Sequence, residues 1–395
     1  MSGPLTGVTV IDFTRVLSGP YCTMVLSDLG ARVIKVEHPV RGDDTRHWGP
    51  PFIGAESAYF LSINRNKESL TLDFKKPEGR AILERLFATA DVVVENFRPD
   101  TLEPLGLGAE AVTARWPKLV YCSVSGYGQT GPRREEAGYD AVMQAEGGLM
   151  SITGDANGPG YRLGVAITDI VSGLFAAQGV LAALVARTRT GEGQRVDIGM
   201  LDATAALLTY QAGNFFTTGE APARMGNRHP TIAPYESFPT SDGEIVVAVG
   251  NDDIWRRFCT AIERPELAHD PRYVNNKERI AHYADLRGVL EQAMRVRTRL
   301  DWVARFGTAG VPCGSVREIS EVLADPQLAA RQMIAEVQHP TIGTTRVIGS
   351  PLKLSATPAS VRTAPPVLGQ HTASILGELG YDTAAVEQLK TAGVI

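Results

Sequence analysis

Residues 164–173 read GVAITDIVSG, and Asp169 is the one charged side chain between Leu163 and Ala186. A carboxylate at the mouth of an apolar helix has two readings. One is structural: Asp is among the best helix N-caps, worth ~0.5–2 kcal/mol. The other is chemical. Backbone amides and the helix dipole would hold the carboxylate ionised and fixed. In a dry pocket it could then attack an activated acyl group and form a covalent intermediate, with nearby amide donors meeting the charge on the attacked carbonyl. The two readings are compatible, because a cap also holds a nucleophile still.

A second constellation is basic and lies upstream: Lys35, Arg41, Arg46, Arg65, Lys67, Lys75 and Arg98. Most fall at predicted strand ends or in the loops that follow, where open α/β sheets bind ligands. The expectation is a phosphate-bearing ligand, with part of the set simply solvated surface. VVVENFRPD (92–100) is the sharper part, since a buried strand runs directly into Asn96, Phe97 and Arg98. An amide, an aromatic face and a fork donor in a row suit an adenine, a ribose phosphate or a pantetheine arm. SGYGQTGP (125–132) and GYD (138–140) follow. Their glycines form turns and also let backbone approach a ligand closely.

These residues need elements to position them. GVTVIDF (7–13), SGPYCTMVLSDLG (18–30) and ARVIKVE (31–37) read as strand, helix and strand, a βαβ unit that implies a parallel sheet. SLTLDF, GRAILERLFATA, VVVEN and LVYCSVSGYG continue the alternation, and a long apolar helix covers 170–187 before QRVDIGM (194–200). The fold class expected is α/β: a doubly wound, Rossmann-like large domain over 1–215, completed by 330–395. An extended linker is expected over 216–243, a smaller α+β domain over 244–325, and a return segment over 326–395. The first turn, FTRVLSGPY, lacks the G-x-G-x-x-G fingerprint. A nicotinamide-dependent dehydrogenase is therefore only a remote alternative.

Composition bounds the partners. With 395 residues, 44% hydrophobic residues and a net charge of −5 spread along the chain, neither nucleic acid nor a lipid surface is expected as the main partner. Four cysteines without a CxxC, and no apolar signal core in MSGPLTG, point to free thiols and a cytoplasmic location. Residues 163–186 come nearest to a membrane span, but Asp169, Ser172 and Gln178 interrupt them. The seven histidines form no i, i+4 pair and no cluster with cysteine, so no metal site is expected.

Taken together, the motifs resemble a known family. VIDFTRVLSGPYCTMVLSDLGARVIKVEHP, NRNKESLTLDFK, VVVENFRPD, GYGQTGP, GYD, TDIVSG and TGEGQRVDIGMLDA occur in order, followed by GNRHPTIAPYESF, GVPCGSV, SPLKLS and GQHT. The chain is similar to the family III CoA-transferases (CaiB/BaiF, formyl-CoA transferase-like) almost from end to end. The resemblance implies that Asp169 is the catalytic aspartate and that coenzyme A is a substrate, with no permanently bound cofactor. It implies CoA contacts at Val16, Leu17, Leu72, Lys75, Asn96, Phe97, Arg98 and Tyr139. His38 and Pro104 replace basic contacts of some members, which shifts phosphate binding toward Arg41 or Arg98. It also implies an intertwined homodimer.

The implied mechanism is ping-pong in character. Asp169 attacks the donor acyl-CoA to give an acyl–aspartyl anhydride and CoA thiolate, and the thiolate returns to form an aspartyl-CoA thioester. The acceptor carboxylate attacks that thioester, and CoA attacks the new anhydride. The glycine run of formyl-CoA transferase-like members is missing from IVVAVGNDDIW, which argues against oxalate–formate exchange. The alternative within the same fold, an α-methylacyl-CoA racemase-type epimerase, would need a histidine where GYD has Tyr139. For the substrate side, ARMGNRHPTIAPY brings Arg224, Arg228, His229 and Tyr235 together. One of these arginines is a candidate for binding the far carboxylate of a dicarboxylic acceptor, with succinyl-CoA as donor. Those residues could equally secure a loop or a dimer contact.

Overall fold

Side chains alternate across a strand, so paired runs of apolar residues feed two faces of a sheet. In the computed structural model, which describes residues 3–395, Ile11, Ile34 and Val93 enter one buried cluster, while Val10, Val33, Val92 and Val94 enter another. Sheets buried on both faces are characteristically parallel. This one is: β1 (Thr9–Asp12), β2 (Arg32–Glu37), β5 (Lys67–Thr71), β6 (Val92–Glu95), β7 (Val120–Ser125) and β8 (Arg195–Gly199) pair in parallel, in the order β5-β2-β1-β6-β7-β8. The short hairpin β3 (Phe52–Ile53) and β4 (Glu56–Ser57) stands apart from the sheet. The strand order reverses between β1 and β6, which is where a doubly wound sheet opens its binding crevice.

On one face lie α3 (Pro77–Phe87) and α4 (Ala109–Arg115), together with Ile375, Leu376 and Val394 from the end of the chain. On the other lie α1 (Ser18–Asp28) and α7 (Ile167–Thr190). Between them in sequence come α2 (Ala58–Ile63), α5 (Asp140–Glu146) and α6 (Leu149–Ile152), and α8 (Met200–Ala206) follows β8. α7 begins at Ile167, three residues before the start expected from the sequence. At 24 residues and a mean hydropathy of 1.8 it is also long and apolar enough to cross a membrane, contrary to the count made on the sequence. The interruptions are mild, since the Ser172 hydroxyl donates to Thr168 O within the helix at 2.6 Å. α7 lays Ala176, Ala177, Val180 and Ala183 into the buried cluster beneath the sheet.

The described residues divide into two compact units, one of 3–149, 162–213 and 326–395, the other of 150–161 and 214–325. The second is built on an antiparallel sheet, β11-β10-β9, formed by β9 (Tyr235–Pro239), β10 (Glu244–Ala248) and β11 (Cys313–Ser315). Its core is aromatic, with Phe238, Trp255, Phe258, Trp302 and Phe306 buried together. Two boundaries differ from the sequence expectation. β9 lies inside the stretch read as linker, and 150–161 groups with the second unit because Gly226 N–H donates to Gly154 O at 2.9 Å. That pairing spans about 70 residues and leaves no local pattern. The last strands, β12 (Ile334–His339) and β13 (Gly343–Ile348), form a hairpin in the first unit. All four cysteines are free.

Candidate active site

The loop from β1 to α1 is held at nearly every backbone group. Thr14 N–H donates to Asp12 Oδ1 at 2.8 Å, and Lys35 Nζ donates to Thr14 O at 2.7 Å. The Asn96 side chain receives Arg15 N–H at 2.8 Å and donates to Arg15 O at 2.7 Å, and Val16 N–H reaches Asp43 Oδ1 at 3.3 Å. Val16 needs this support. Its φ of 68° is a left-handed conformation that a β-branched residue resists, and such strain persists only where surroundings over-determine it. Burial alone pushes the Asp43 carboxyl up, but the Lys35 ammonium and the Thr45 donors overcome it and hold it at about 2.

This loop delivers Leu17 and Ser18 to the start of α1, which has no side-chain cap. Its first-turn amides therefore lack partners within the helix. α7 crosses α1 at this point. A Cβ on Gly173 would lie 2.5 Å from Ser18 O, so only glycine allows the approach. One turn earlier stands Asp169, the third residue of α7; Ala166 holds the cap position, so Asp169 is not the N-cap expected from the sequence. Burial, then the neighbouring Asp140 carboxylate, pushes the Asp169 carboxyl up to about 7 against a hydrogen bond from Ser18. The expectation of a permanently ionised group is corrected on the same grounds: desolvation and like charge outweigh the helix terminus.

Asp169 lines a pocket of about 340 Å³ with Arg15, Val16, Ser18, Asn96, Phe97, Arg98 and Tyr139. A second pocket of about 250 Å³ is lined by His38, Arg41, Leu72 and Lys75, among others. Arg15, Asp44, Phe97 and Thr101 border both, so the two adjoin along one cleft. Leu17 is not in either lining; it sits in the apolar cluster with Met24 and Ile63. Asn96 borders the pocket, but its amide is committed to Arg15.

The basic constellation divides. Lys35 pairs with Asp43 at 2.8 Å, Arg46 with Glu37 at 2.7 Å, Arg65 with Asp28 at 2.6 Å and Lys67 with Asp12 at 3.2 Å, all buried. These four brace the framework and are not available to a phosphate. Arg41, Lys75 and Arg98 make no ion pair among the described residues and face the cleft. Arg224 and Arg228 meet in a cavity of the second unit with Glu236, Tyr283 and Arg287. His229 and Tyr235 do not line it; their backbones bond each other, His229 N–H to Tyr235 O at 2.9 Å.

Sequence reasoning missed Ser18, Tyr59 and Asp140. Tyr59 stacks edge-on to Trp48 at 5.3 Å, and burial followed by the charges of Asp169 and Asp140 pushes its phenol up to about 12. Asp140 was in view in GYD, but nothing local showed which backbone it would bind.

The profile of CoA-transferase family III matches residues 5–372. The chain is 43% identical over 393 residues to the Homo sapiens succinyl-CoA:glutarate CoA-transferase, covering 99% of this chain and 90% of that protein. It is 42% identical over 382 residues to the succinate–glutarate CoA-transferase of Agrobacterium fabrum, covering 95% and 96%. The crystal structure of a CAIB/BAIF family protein from Brucella suis superposes with a TM-score of 0.86 at 41% identity, covering 96% of this chain and all of that one.

Proposed function

The chain belongs to CoA-transferase family III and is an enzyme of the CoA-transferase type, and from that premise we propose that it moves CoA from succinyl-CoA to a dicarboxylic acid such as glutarate, through acyl and CoA adducts of Asp169. The observation that carries this reading is the position of Asp169, buried at one end of a cleft whose other end is lined by Arg41 and Lys75. Cations there suit the phosphates of CoA, and the pantetheine arm would run past Phe97 toward the carboxylate. The named activities of the human and Agrobacterium relatives support succinate and glutarate as the acid pair.

The chemistry follows from the surroundings. Asp169 attacks the thioester carbon, a C–O bond forms, the C–S bond breaks, and the electron pair leaves with CoA thiolate. A carboxylate held near 7 is a stronger nucleophile than one at its ordinary 3.8 and is still largely ionised at pH 7.5. Ser18, which opens α1, hydrogen-bonds Asp169, and the Ser18 and Gly19 amides at that uncapped helix start suit the negative charge on the attacked oxygen. Binding of the CoA body away from the reacting carbon orients it. The epimerase alternative lacks its second base: no histidine lines the pocket that Asp169 borders, and Tyr139 stands where that base would be needed.

For the acceptor we assign the far carboxylate to Arg224 or Arg228. The Arg228 guanidinium lies 3.6 Å over the Tyr283 ring, and its Nε is buried without a hydrogen-bond partner, which supports an anion there. The homodimer inferred from the family is part of the same proposal.

The test is to incubate the protein with succinyl-CoA, quench with hydroxylamine and digest with trypsin. The peptide from Leu163 to Arg187 has Asp169 as its sole side-chain carboxylate, so a hydroxamate in it locates the adduct. An unmodified peptide across a broad acyl-CoA panel would sink the mechanism. With glutarate added, a KM unchanged in both Arg224→Ala and Arg228→Ala would remove those arginines from the acceptor site.

A further inference from the structure

Asp140 opens α5 immediately after the Tyr139 that borders the cleft. Its place is set by two glycines. A Cβ on Gly138 would meet Gly126 Cα at 2.4 Å, so the loop before α5 can press onto the end of β7 only with glycine on both sides. From there Asp140 reaches the segment that leads into α7. Its Oδ1 accepts Thr168 N–H at 2.9 Å and the Thr168 hydroxyl at 2.5 Å. Its Oδ2 accepts the Gln144 amide at 2.8 Å, and the Gln144 oxygen in turn accepts Leu163 N–H at 2.8 Å. Both ends of the 163–168 strap are therefore tied to one carboxylate. Thr168 and Gln144 are buried, and Asp140 forms no ion pair among the described residues. Acting only as an acceptor toward three donors, it has the bonding pattern of an ionised carboxylate.

We propose that Asp140 is a positioning residue for the acyl transfer: it clamps the strap that delivers Asp169 and keeps a fixed negative charge behind it, so that forming an adduct on Asp169 relieves a repulsion. This rests on the reading of Asp169 as the group that carries the acyl and CoA adducts. When the C–O bond forms and the C–S bond breaks, the charge of Asp169 moves onto the departing thiolate, away from Asp140. The overall charge is unchanged, and no proton or co-reactant is needed. A like charge left in place thus raises the free carboxylate in energy relative to the anhydride and the thioester. The same neighbour contributes, after burial, to holding the Asp169 carboxyl up. The other groups around Asp169 are Ser18 and Tyr21 on α1, Tyr59 on α2, and the cleft residues Arg15, Asp44, Glu136 and Tyr139. Arg15 and Asp44 approach each other at 3.8 Å, and Glu136 is bonded to Arg133.

The experiment follows adduct formation at Asp169 by acid quench and peptide mass spectrometry, with succinyl-CoA, from pH 5 to 9. Asp140→Asn keeps an acceptor for Thr168 but removes the charge. The midpoint of its pH profile is expected to fall by about one pH unit, and the fraction of enzyme held as adduct about ten-fold. Gln144→Lys sets a cation beside the same carboxylate and leaves Asp140 on Thr168, while giving up the bond to Leu163 N–H. It is expected to move the midpoint in the same direction, and it stands in if Asp140→Asn does not fold. Thr168→Val, which loosens the clamp and keeps the charge, should slow adduct formation without moving the midpoint. If the wild type is labelled at Asp169 but both neutralised variants keep its profile and occupancy, the role of Asp140 is overturned. If the wild type itself is unlabelled, the reading of Asp169 falls first.

Discussion

Asp169 has its carboxyl raised to about 7 by burial and by Asp140, and that has a consequence for stability as well as reactivity. The folded protein binds this proton more tightly than the unfolded chain, whose Asp titrates near 3.8. Its contribution is therefore most favourable below about pH 4, declines as pH rises toward 7, and is flat above. Holding a carboxyl at about 7 in place of 3.8 corresponds to roughly 4 kcal/mol at pH 8, an upper figure. Asp169→Asn should abolish transfer yet resist urea better than the wild type at pH 8, with the difference closing at pH 4. Equal stability gaps at the two pH values would show that the site is not strained by its charge. The apolar run around Asp169 revealed the residue, because an acid in such company is conspicuous. Its raised proton affinity was not legible, since the second carboxylate is 29 positions earlier and reaches it only through the fold.

At the scale of elements, the site depends on two helices meeting closely. Gly173 lets α7 touch the first turn of α1, where a Cβ would have to push aside backbone, not a flexible side chain. Gly173→Ala should therefore separate the helices and cost about 1–3 kcal/mol of stability. Displacing Asp169 from Ser18 at the start of α1 should lower kcat/KM at least ten-fold. Wild-type kinetics in a folded Gly173→Ala protein would contradict this account of the crossing. The elements themselves were readable, because β-branched runs bounded by glycine and a long apolar helix carry their periodicity in the chain. Which charges would be spent inside was not. Lys35, Arg46, Arg65 and Lys67 looked like a phosphate site, and each instead found a carboxylate on β1, α1, β2 or the loop after β2.

At the scale of the molecule, α7 leaves Leu174 at 39% and Phe175 at 37% exposed, beside an open groove lined by Gly179, Ile198 and Ala203. The proposed homodimer is expected to cover this surface with a second copy of the chain. Light scattering should then give twice the 42.4 kDa of one chain, and Phe175→Asp should reduce it to the monomer. A monomeric wild type with full activity would dispose of the dimer. By itself the sequence determined the parallel α/β core and the family and singled out Asp169 as the candidate carboxylate, because each rests on local pattern or on ordered motifs. Only the tertiary structure decided that β9 belongs to the second unit's sheet, that Asn96 braces Arg15, and that Asp140 binds Thr168, the neighbour of Asp169. β9 joins its sheet across a four-residue turn inside a Gly- and Pro-rich stretch that masked it, whereas the other two are pairings between residues tens of positions apart, which leave no trace in local periodicity.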